Sequence, residues 1–314
     1  MPQNSWILAD PFSDWLPQKL ADIGISLWDF SSKSPAFIEE KLTDAEGLIL
    51  SSKIKLSASL LEKSKSLRYI IRGGSGLENI DVSAAKKQNI RVISLPQGNR
   101  DAVAEHAAGM LLMLLNNLQR SDSEVRNFLW NREQNRGSEL WNKTVGIIGF
   151  GNTGSAFANR LTGFGCRIIA YDKYKTGIDN PWVEQVSLET LQQHTDILSF
   201  HVPLTSETYH LGNNSFWDKF AKKIWVINLS RGAVIDTAAL LQNLKANKIA
   251  GAALDVLEDE PLTNLTEQKQ TLYQQLFTQN VVLSPHIGGW SFESKERISK
   301  LIIAEVAQLY AKLL

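Results

Sequence analysis

Short apolar runs alternate with helical patterns along residues 1–97. Apolar runs bounded by turn residues are typical of buried strands, and apolar positions three or four residues apart are typical of helices that cover a sheet. Strands joined by helices predict a parallel sheet that is covered on both faces. The predicted strands are residues 6–9, 25–30, 47–50, 67–71 and 90–95, and the predicted helices are residues 12–23, 35–42, 56–65 and 82–87.

The same alternation continues after a long helical pattern at residues 98–120. In that pattern Val103, Ala107, Leu111 and Leu114 fall on one apolar side. Later apolar runs predict a second parallel sheet, and the chain closes on a helical pattern. We therefore predict an α/β protein with two Rossmann-like domains and a cleft between them. The strands of the second sheet are predicted at residues 145–148, 168–171, 197–200, 224–229, 250–254 and 281–283, and the final helix at residues 294–313.

Length and composition agree with two soluble domains. At 314 residues the chain exceeds the size at which one hydrophobic core usually suffices. Lysines and arginines number 33, as do aspartates and glutamates, so no net field would attract nucleic acid or anionic lipid. The longest nearly apolar stretch, residues 107–115, is too short to span a bilayer. The single cysteine, Cys166, cannot form an internal disulfide, and we expect a cytoplasmic protein.

A glycine-rich turn follows the first strand of the second sheet. Gly149, Gly151 and Gly154 have the G-x-G-x-x-G spacing and precede a helical pattern and a strand that ends at Asp172. The first glycine permits a tight turn, the second lets the backbone approach a pyrophosphate, and the third allows the helix to pack closely on the sheet. Free N–H groups at the helix N-terminus attract the anion. The pattern predicts a dinucleotide site rather than a merely structural turn.

Asp172 bears on which dinucleotide binds. A carboxylate at this position accepts hydrogen bonds from the adenosine ribose and repels the additional phosphate of NADP. Lys173 and Lys175 could weaken that repulsion, or they could be two solvated lysines. We predict NAD as the cofactor.

Polar side chains follow three later strands of the same sheet. Arg231, Glu260 and His286 come after predicted strands, so we expect them at the carboxyl edge of the sheet, beside the nicotinamide. An arginine fork matches a carboxylate, a histidine exchanges protons near neutral pH, and a glutamate stabilises the imidazolium. Each residue alone could be an ordinary surface residue, but together they predict a redox site for a hydroxy acid.

With these motifs the chain resembles the D-isomer-specific 2-hydroxyacid dehydrogenase family across residues 45–290. The resemblance implies an NAD-dependent oxidoreductase that transfers a hydride between nicotinamide and a D-2-hydroxy acid or its 2-oxo acid. It also implies a discontinuous, flavodoxin-like substrate domain, residues 1–97 and 290–314, and a dinucleotide-binding domain, residues 98–289. The matching motifs are R-G-G-S-G at residues 72–76, N-I-D at 79–81, G-N at 98–99, V-A-E-H at 103–106, H-V-P-L-T at 201–205, N-L-S-R-G at 228–232, Asp255 with E-P at 260–261, and P-H-I-G-G at 285–289.

The resemblance also implies roles for individual residues. Arg231 would bind the substrate carboxylate and carbonyl, His286 would be the acid/base, and Glu260 would be its partner. Ser75 and Gly76 would offer backbone N–H groups to the carboxylate, although the glycine-rich loop around them could equally be a plain turn. The residues expected to line the cofactor site are Gly149, Gly151, Asn152, Thr153, Gly154, Asp172, Pro203, Thr205, Ser230, Asp255 and Gly289.

The identity of the 2-hydroxy acid stays open at this point. The phosphoglycerate dehydrogenases are the nearest named group, and Lys53 and Lys55 occupy the stretch in which those enzymes carry basic residues for phosphate. This favours an acidic or phosphorylated acid such as 3-phosphoglycerate, although both could be solvated lysines. Trp290 stands where the family usually has a small residue, and an indole there could narrow the pocket or bridge the two domains, so the size of the substrate stays open.

Other ligands and partners follow from what remains of the sequence. No cluster of cysteine, histidine and carboxylate has metal-ligand spacing, so no metal is expected, and His106 on the long helix is interpreted as structural. Phe128, Leu129 and Trp130 place apolar bulk on a segment that neither sheet needs. Since the family commonly dimerises through this region, we expect a homodimer.

Two other functions on the same fold compete with the dehydrogenase interpretation. One is an NAD(H)-sensing protein such as a corepressor, and the other is a scaffold protein that binds no cofactor.

Overall fold

The structure, a computed structural model, describes residues 5–311 of the chain. These residues form two compact units, each with its own parallel sheet. The seven-stranded unit comprises Asp101–Gly289, and the five-stranded unit comprises the described residues before and after that range. The predicted fold class, α/β with two parallel sheets, is confirmed.

The five-stranded unit alternates strands with helices, as its apolar pattern predicts. Its strands are β1 (Ser5–Leu8), β2 (Ser26–Asp29), β3 (Gly47–Leu50), β4 (Tyr69–Arg72) and β5 (Arg91–Ser94). The helices between them are α1 (Leu16–Asp22), α2 (Pro35–Lys41), α3 (Ala58–Lys63) and α4 (Val82–Lys87). The strand order β2-β1-β3-β4-β5, with every pair parallel, is that of flavodoxin-like folds.

The seven-stranded unit begins with two helices and then continues the alternation. Its helices are α5 (Arg100–Leu115), α6 (Leu118–Arg126), α7 (Asn152–Leu161), α8 (Leu188–His194), α9 (Asn214–Trp217), α10 (Thr237–Lys245) and α11 (Glu267–Phe277). Its strands are β6 (Thr144–Ile148), β7 (Arg167–Tyr171), β8 (Val183–Gln185), β9 (Ile197–Phe200), β10 (Ile224–Asn228), β11 (Ile249–Leu254) and β12 (Val281–Leu283). The parallel order β12-β11-β10-β9-β6-β7-β8 reverses direction at β6, and ligands of such sheets bind at the carboxyl ends of the strands there.

Burial explains why the central strands read as continuous apolar runs. Every residue of β6 and of β9 is buried, because helices cover both faces of a parallel sheet. On one face Val145 and Ile147 pack in a cluster with Leu111 of α5. On the other face Ile148 and Leu198 pack in a second cluster. The loops that follow β6 and β9 therefore begin at strands that are packed on both faces.

The final helix, α12 (Phe292–Ala311), belongs to the five-stranded unit although it follows the last strand of the other sheet. Ile302 and Val306 are fully buried in a cluster with Trp6 and Leu8 of β1. The indole N–H of Trp6 donates to the hydroxyl of Tyr310 at 2.9 Å. The chain thus returns to its first strand. Within residues 5–311, no helix combines the length and the apolar composition needed to cross a membrane.

The predicted helix at residues 98–120 is wrong in its second part. α5 ends at Leu115, and Asn117 has a left-handed backbone with φ +51° before α6 begins. Asparagine tolerates this conformation better than most residues, so it can separate two helices without a glycine or a proline. The short strand β8 was not predicted, because it lies at the sheet edge and buries only Val183.

Candidate active site

The glycine-rich turn lies where the sequence predicts, between β6 and α7. Gly149 has a left-handed backbone, φ +89°, and a Cβ there would lie 2.5 Å from the carbonyl oxygen of His201. A Cβ at Gly154 would lie 2.2 Å from the carbonyl oxygen of Gly149. At Gly151, by contrast, a Cβ would meet nothing within 4 Å. Two glycines are therefore required by close packing within the unit, and the third faces open space beside the N-terminus of α7.

Asp172 stands at the end of β7 with its carboxylate fixed by backbone amides. Oδ2 accepts from the N–H of Phe150 at 2.8 Å, and Oδ1 accepts from the N–H groups of Tyr174 and Lys175 at 2.9 and 3.0 Å. An ionised carboxylate has about four acceptor positions, so these three bonds leave capacity for a further donor. The Lys175 ammonium lies 5.5 Å from the centre of the Phe150 ring. Asp172 is thus held against the glycine-rich turn.

Lys173 forms an ion pair with Glu207. Its ammonium lies 2.9 Å from a carboxylate oxygen of Glu207, and the hydroxyl of Tyr174 donates to the same oxygen. The hydrogen bonds from Tyr174 and Lys173 hold the pKa of the Glu207 carboxyl below its usual range. Lys173 is therefore paired with Glu207, whereas the Lys175 ammonium reaches the glycine-rich turn, 3.4 Å from the carbonyl oxygen of Phe150.

His201 follows β9 and is buried within the seven-stranded unit. Its Nε2 lies 2.8 Å from the hydroxyl of Ser199, and its Nδ1 lies 3.3 Å from the hydroxyl of Thr153 in α7. Burial lowers the pKa of His201 to about 3, so the imidazole is neutral at physiological pH. His201 connects β9 to the first turn of α7 and fixes the position of that helix N-terminus.

Hydrogen bonds shape the loop that begins after His201. The hydroxyl of Thr208 donates to the carbonyl of Pro203 at 2.6 Å and accepts from the N–H of Thr205 at 2.8 Å. Pro203 and Thr205, both expected to line the cofactor site, are exposed on this turn.

The loop after β10 is closed by hydrogen bonds to the buried side chain of Asn228. Its Oδ1 accepts from the N–H of Ser230 at 3.0 Å and from the Ser230 hydroxyl at 2.7 Å, and its Nδ2 donates to the carbonyl of Arg231 at 3.0 Å. Nη1 of Arg231 donates to the carbonyl of Ser230 at 2.5 Å. A Cβ at Gly232 would lie 2.0 Å from the carbonyl carbon of Leu257, so glycine is needed where this loop meets the loop after β11.

Glu260 and His286 meet although their loops follow different strands. Nδ1 of His286 lies 2.6 Å from Oε1 of Glu260, and Oε2 of Glu260 accepts from the N–H of Leu257 at 3.2 Å. The two side chains are 46% and 36% exposed. With Nδ1 on the carboxylate, Nε2 on the far side of the ring is the nitrogen that can exchange a proton with a bound molecule.

Asp255 is buried, with 2% of its surface exposed, and its carboxylate binds the loop that carries His286. Oδ1 accepts from the hydroxyl of Ser284 at 2.6 Å and from the N–H of Ile287 at 2.8 Å, while Oδ2 accepts from the N–H of Gly288 at 2.8 Å. Gly289, also expected at the cofactor site, comes next in this loop.

His106, interpreted from the sequence as structural, and Ser284, which was not among the predicted site residues, lie beside Asp255. Nε2 of His106 lies 2.9 Å from the hydroxyl of Ser284 and 3.6 Å from Oδ1 of Asp255. Both residues lie at positions where the sequence already indicated a site, because Ser284 directly follows a predicted strand and His106 lies in the V-A-E-H motif. Among residues 5–311, no three histidine, cysteine, aspartate or glutamate side chains are grouped as a metal ion would need.

The remaining candidates, Ser75, Gly76 and Lys53, lie in the five-stranded unit. Ser75 and Gly76 follow β4, and the Arg72 guanidinium occupies the space that a Cβ at Gly74 would need. Lys53 follows β3, and its ammonium donates to the carbonyl of Ser31.

The chain is similar in sequence and in fold to known proteins. Residues 108–288 match the family model described as D-isomer specific 2-hydroxyacid dehydrogenase, NAD binding domain. The chain is 37% identical over 265 residues to a hydroxypyruvate reductase of Thermotoga maritima, covering 84% of this chain and 85% of that protein. It is 34% identical over 278 residues to a D-3-phosphoglycerate dehydrogenase of Bacillus subtilis, covering 88% of this chain and 51% of that protein. A crystal structure of D-lactate dehydrogenase from Aquifex aeolicus, complexed with NAD and lactic acid, matches with a TM-score of 0.85 and 30% identity, covering 98% of this chain and 96% of that one.

Burial of His201 predicts a loss of stability in mild acid. The unfolded chain binds a proton at histidine with a pKa near 6.5, whereas the folded chain does so only near 3. As pH falls below about 6.5 the unfolded state therefore gains protons first, and each pH unit lowers the free energy of unfolding by up to about 1.4 kcal/mol. We expect His201→Gln to remove this part of the pH dependence in urea unfolding between about pH 7 and pH 5.

The exposed His194 supplies the matched control for this experiment. His194→Gln should leave the slope of the unmodified chain unchanged. A slope in His201→Gln as steep as that of the unmodified chain would contradict the assignment of the acid sensitivity to His201.

Proposed function

The chain belongs to the D-isomer specific 2-hydroxyacid dehydrogenase family, and we propose that His286, Glu260 and Arg231 carry out its reaction on a small 2-oxo acid. The protein is an NAD-dependent oxidoreductase that interconverts a D-2-hydroxy acid and its 2-oxo acid. The observation that supports the roles of His286 and Glu260 most directly is the 2.6 Å contact between His286 Nδ1 and Glu260 Oε1. A histidine fixed by a carboxylate through one nitrogen presents the other to a substrate in a defined orientation.

The residues around the glycine-rich turn fit NAD. The open space at Gly151, the N–H groups of Asn152 and Thr153 in the first turn of α7, and the remaining acceptor capacity of Asp172 suit a pyrophosphate and a ribose. Bound NADH supplies the hydride. The paired state of Lys173 supports the preference for NAD, because its charge is already matched by Glu207.

Proton transfer is assigned to Nε2 of His286. In reduction the carbonyl carbon of the 2-oxo acid gains a hydride with its electron pair, and the carbonyl oxygen gains the Nε2 proton to become a hydroxyl. Glu260 stabilises the imidazolium before this transfer and keeps the ring oriented. Arg231 binds the substrate carboxylate, since its planar fork matches two oxygens at once. In oxidation the same groups act in reverse.

We assign the substrate domain to residues 1–97 with 290–314 and the cofactor domain to residues 98–289, a division that lies within three residues of the boundary between the two compact units at Asp101. In this assignment the N–H groups of Ser75 and Gly76 also bind the substrate carboxylate. The loop after β4 supports it, because loops at the carboxyl ends of parallel strands commonly bind ligands.

A small, unphosphorylated 2-oxo acid such as hydroxypyruvate or glyoxylate is the substrate class we favour. The chain is 37% identical to the hydroxypyruvate reductase and 34% identical to the phosphoglycerate dehydrogenase over the aligned residues. The Lys53 ammonium already donates to the Ser31 carbonyl, which reduces its capacity to bind a phosphate. 3-Phosphoglycerate is the second candidate, because Lys53 remains a cation on a loop at the carboxyl edge of its sheet.

A homodimer in the cytoplasm completes the proposal. Phe128 and Trp130 are 98% and 78% exposed, and Leu129 and Trp141 are exposed as well. Apolar side chains exposed together in this way are typical of a contact surface. Cys166 is the single cysteine, and burial raises the pKa of its thiol, so it suits a reducing compartment without being reactive.

Loss of the imidazole should separate chemistry from cofactor binding. We expect His286→Ala to lower kcat by roughly 10²–10⁴-fold, the usual contribution of a positioned proton donor, with the Kd for NADH little changed.

A second variant tests the partner of the imidazole. Glu260→Gln removes the charge that stabilises the imidazolium. As pH rises, the rate of reduction should therefore begin to fall at a lower pH than in the unmodified chain. Steady-state pH profiles measure this, and an unaltered profile would remove Glu260 from the mechanism.

A substrate panel tests the proposed reaction and its specificity. With NADH, we expect turnover of hydroxypyruvate and glyoxylate, and with NAD no comparable oxidation of 3-phosphoglycerate.

If Lys53 binds a phosphate instead, Lys53→Ala should raise KM for 3-phosphoglycerate and leave KM for glyoxylate unchanged. Lys55→Ala, on the exposed neighbour, is the control. NADH binding without turnover of any acid would favour the NAD(H)-sensing alternative.

The assembly is tested by light scattering at micromolar concentration. We expect a mass of twice the 35.1 kDa of one chain. Phe128→Glu combined with Trp130→Glu should give a monomer, because a charge on each partner would be buried in the interface. Trp182→Glu, at another exposed indole of the same unit, should remain dimeric. A monomeric mass for the unmodified chain would contradict the proposal.

A further inference from the structure

Three consecutive backbone amides of the loop after β12 all bind one residue, Asp255. The N–H of His286 donates to the Asp255 carbonyl at 2.7 Å. The N–H groups of Ile287 and Gly288 donate to its two carboxylate oxygens, each at 2.8 Å. Successive N–H groups that converge on one anion form a backbone nest, a geometry that requires a left-handed residue within the turn. The loop is therefore built around the Asp255 carboxylate.

His286 supplies that left-handed residue. Its φ is +56°, a conformation that residues with a Cβ seldom adopt. Such a backbone persists only where surrounding contacts determine it. The bonds from the two amides that follow His286 to the Asp255 carboxylate provide such contacts. A Cβ at Gly288 would come within 2.8 Å of Oδ2 of Asp255, so the carboxylate can approach this closely only at a glycine.

Ser284 and His106 hold the carboxylate from its other side. The Ser284 hydroxyl has one proton, which it donates to Oδ1 of Asp255 at 2.6 Å. Its oxygen then accepts from Nε2 of His106 at 2.9 Å. β11 and β12 last pair at Leu254 and Leu283, so these side-chain bonds begin where the strand ladder ends.

We propose that Asp255, Ser284 and His106, hereafter the Asp255 cluster, are positioning residues that hold His286 against Glu260. The cluster acts through the backbone of residues 286–288 and not on reacting atoms. Without it, the strained backbone at His286 relaxes, and Nδ1 leaves the Glu260 carboxylate that lies 2.6 Å away. This inference rests on the acid/base role proposed above for His286.

Ser284 is the member of the cluster to substitute, since it has no assigned contact with cofactor or substrate. In Ser284→Ala we expect kcat to fall by about 10-fold or more, since a misplacement of about 1 Å at a reacting group can cost on the order of 10²-fold. The Kd for NADH should stay within about twofold. Ser284→Thr retains the hydroxyl and should restore most of kcat. Ser187→Ala removes a helix cap from the same unit and controls for lost stability alone.

Two readouts separate positioning from a merely structural role. The first is the Nδ1 proton of His286 in NMR spectra of the ¹⁵N-histidine-labelled chain, assigned by its loss in His286→Gln. This signal should change in Ser284→Ala and stay unchanged in Ser187→Ala. The second is a double-mutant cycle with Glu260→Gln. Once the His286–Glu260 pair is lost, Ser284→Ala should cost little more, so the two effects on kcat should be clearly less than additive.

Each result bears on a separate claim. An unchanged Nδ1 signal in Ser284→Ala, or additive losses in the cycle, would overturn the positioning role while leaving the dehydrogenase reaction intact. An unmodified chain that turns over no acid of the panel would overturn the proposed function. In that case the NMR comparison still decides whether the Asp255 cluster holds His286 against Glu260.

Discussion

Parallel pairing throughout the seven-stranded sheet brings the parts of the candidate active site together. Because all the strands run in one direction, every following loop leaves at the same edge. The register makes this specific: Phe200 pairs with both Ile148 and Asn228, Asn228 pairs with Leu254, and Leu254 pairs with Leu283. Loops far apart in sequence therefore start at the same level, and the proposed acid/base pair needs no contact beyond those between adjacent loops.

Asp255 and Glu260 lie at this edge of the sheet and differ in burial, which matches their different proposed roles. Asp255 is 2% exposed and its oxygens are engaged by a hydroxyl and two amides, so it stabilises the loop. The Glu260 side chain is 36% exposed and one of its oxygens contacts His286, so it can follow a change in the charge of the imidazole. A buried carboxylate whose oxygens are engaged by donors is costly to move, whereas an exposed one that contacts a histidine remains accessible to solvent and to a bound molecule.

The periodicity of apolar residues was sufficient to predict most of the strands and helices, and the spacing of the glycines and polar residues was sufficient to predict the outline of the candidate site. The strands were predictable because central strands of parallel sheets are buried on both faces, and Gly149 with Asp172 could be located because the motif has a fixed order. The end of α5 was not predictable, since periodicity reports burial and not the left-handed backbone at Asn117. The hydrogen bond between His106 and Ser284 was also not predictable, although both residues lie in or beside motifs visible in the sequence, because 178 residues separate them and no local pattern specifies a contact at that distance along the chain.

Under the proposed assignment, acid/base chemistry and substrate choice reside on different sheets. His286, Glu260 and Arg231 are fixed by loops of the seven-stranded unit, which pack on one another at Gly232 and Leu257. In the five-stranded unit the loop after β3 is held separately, by the buried Asp10, whose carboxylate accepts from the N–H of Ser51 at 2.6 Å, and by the bond from Lys53 to Ser31. A substitution in that loop changes a hydrogen-bond network that shares no member with the acid/base pair. Under the proposed assignment, selectivity among 2-oxo acids can therefore change without altering proton transfer, as expected where function lies in sites placed on a common fold.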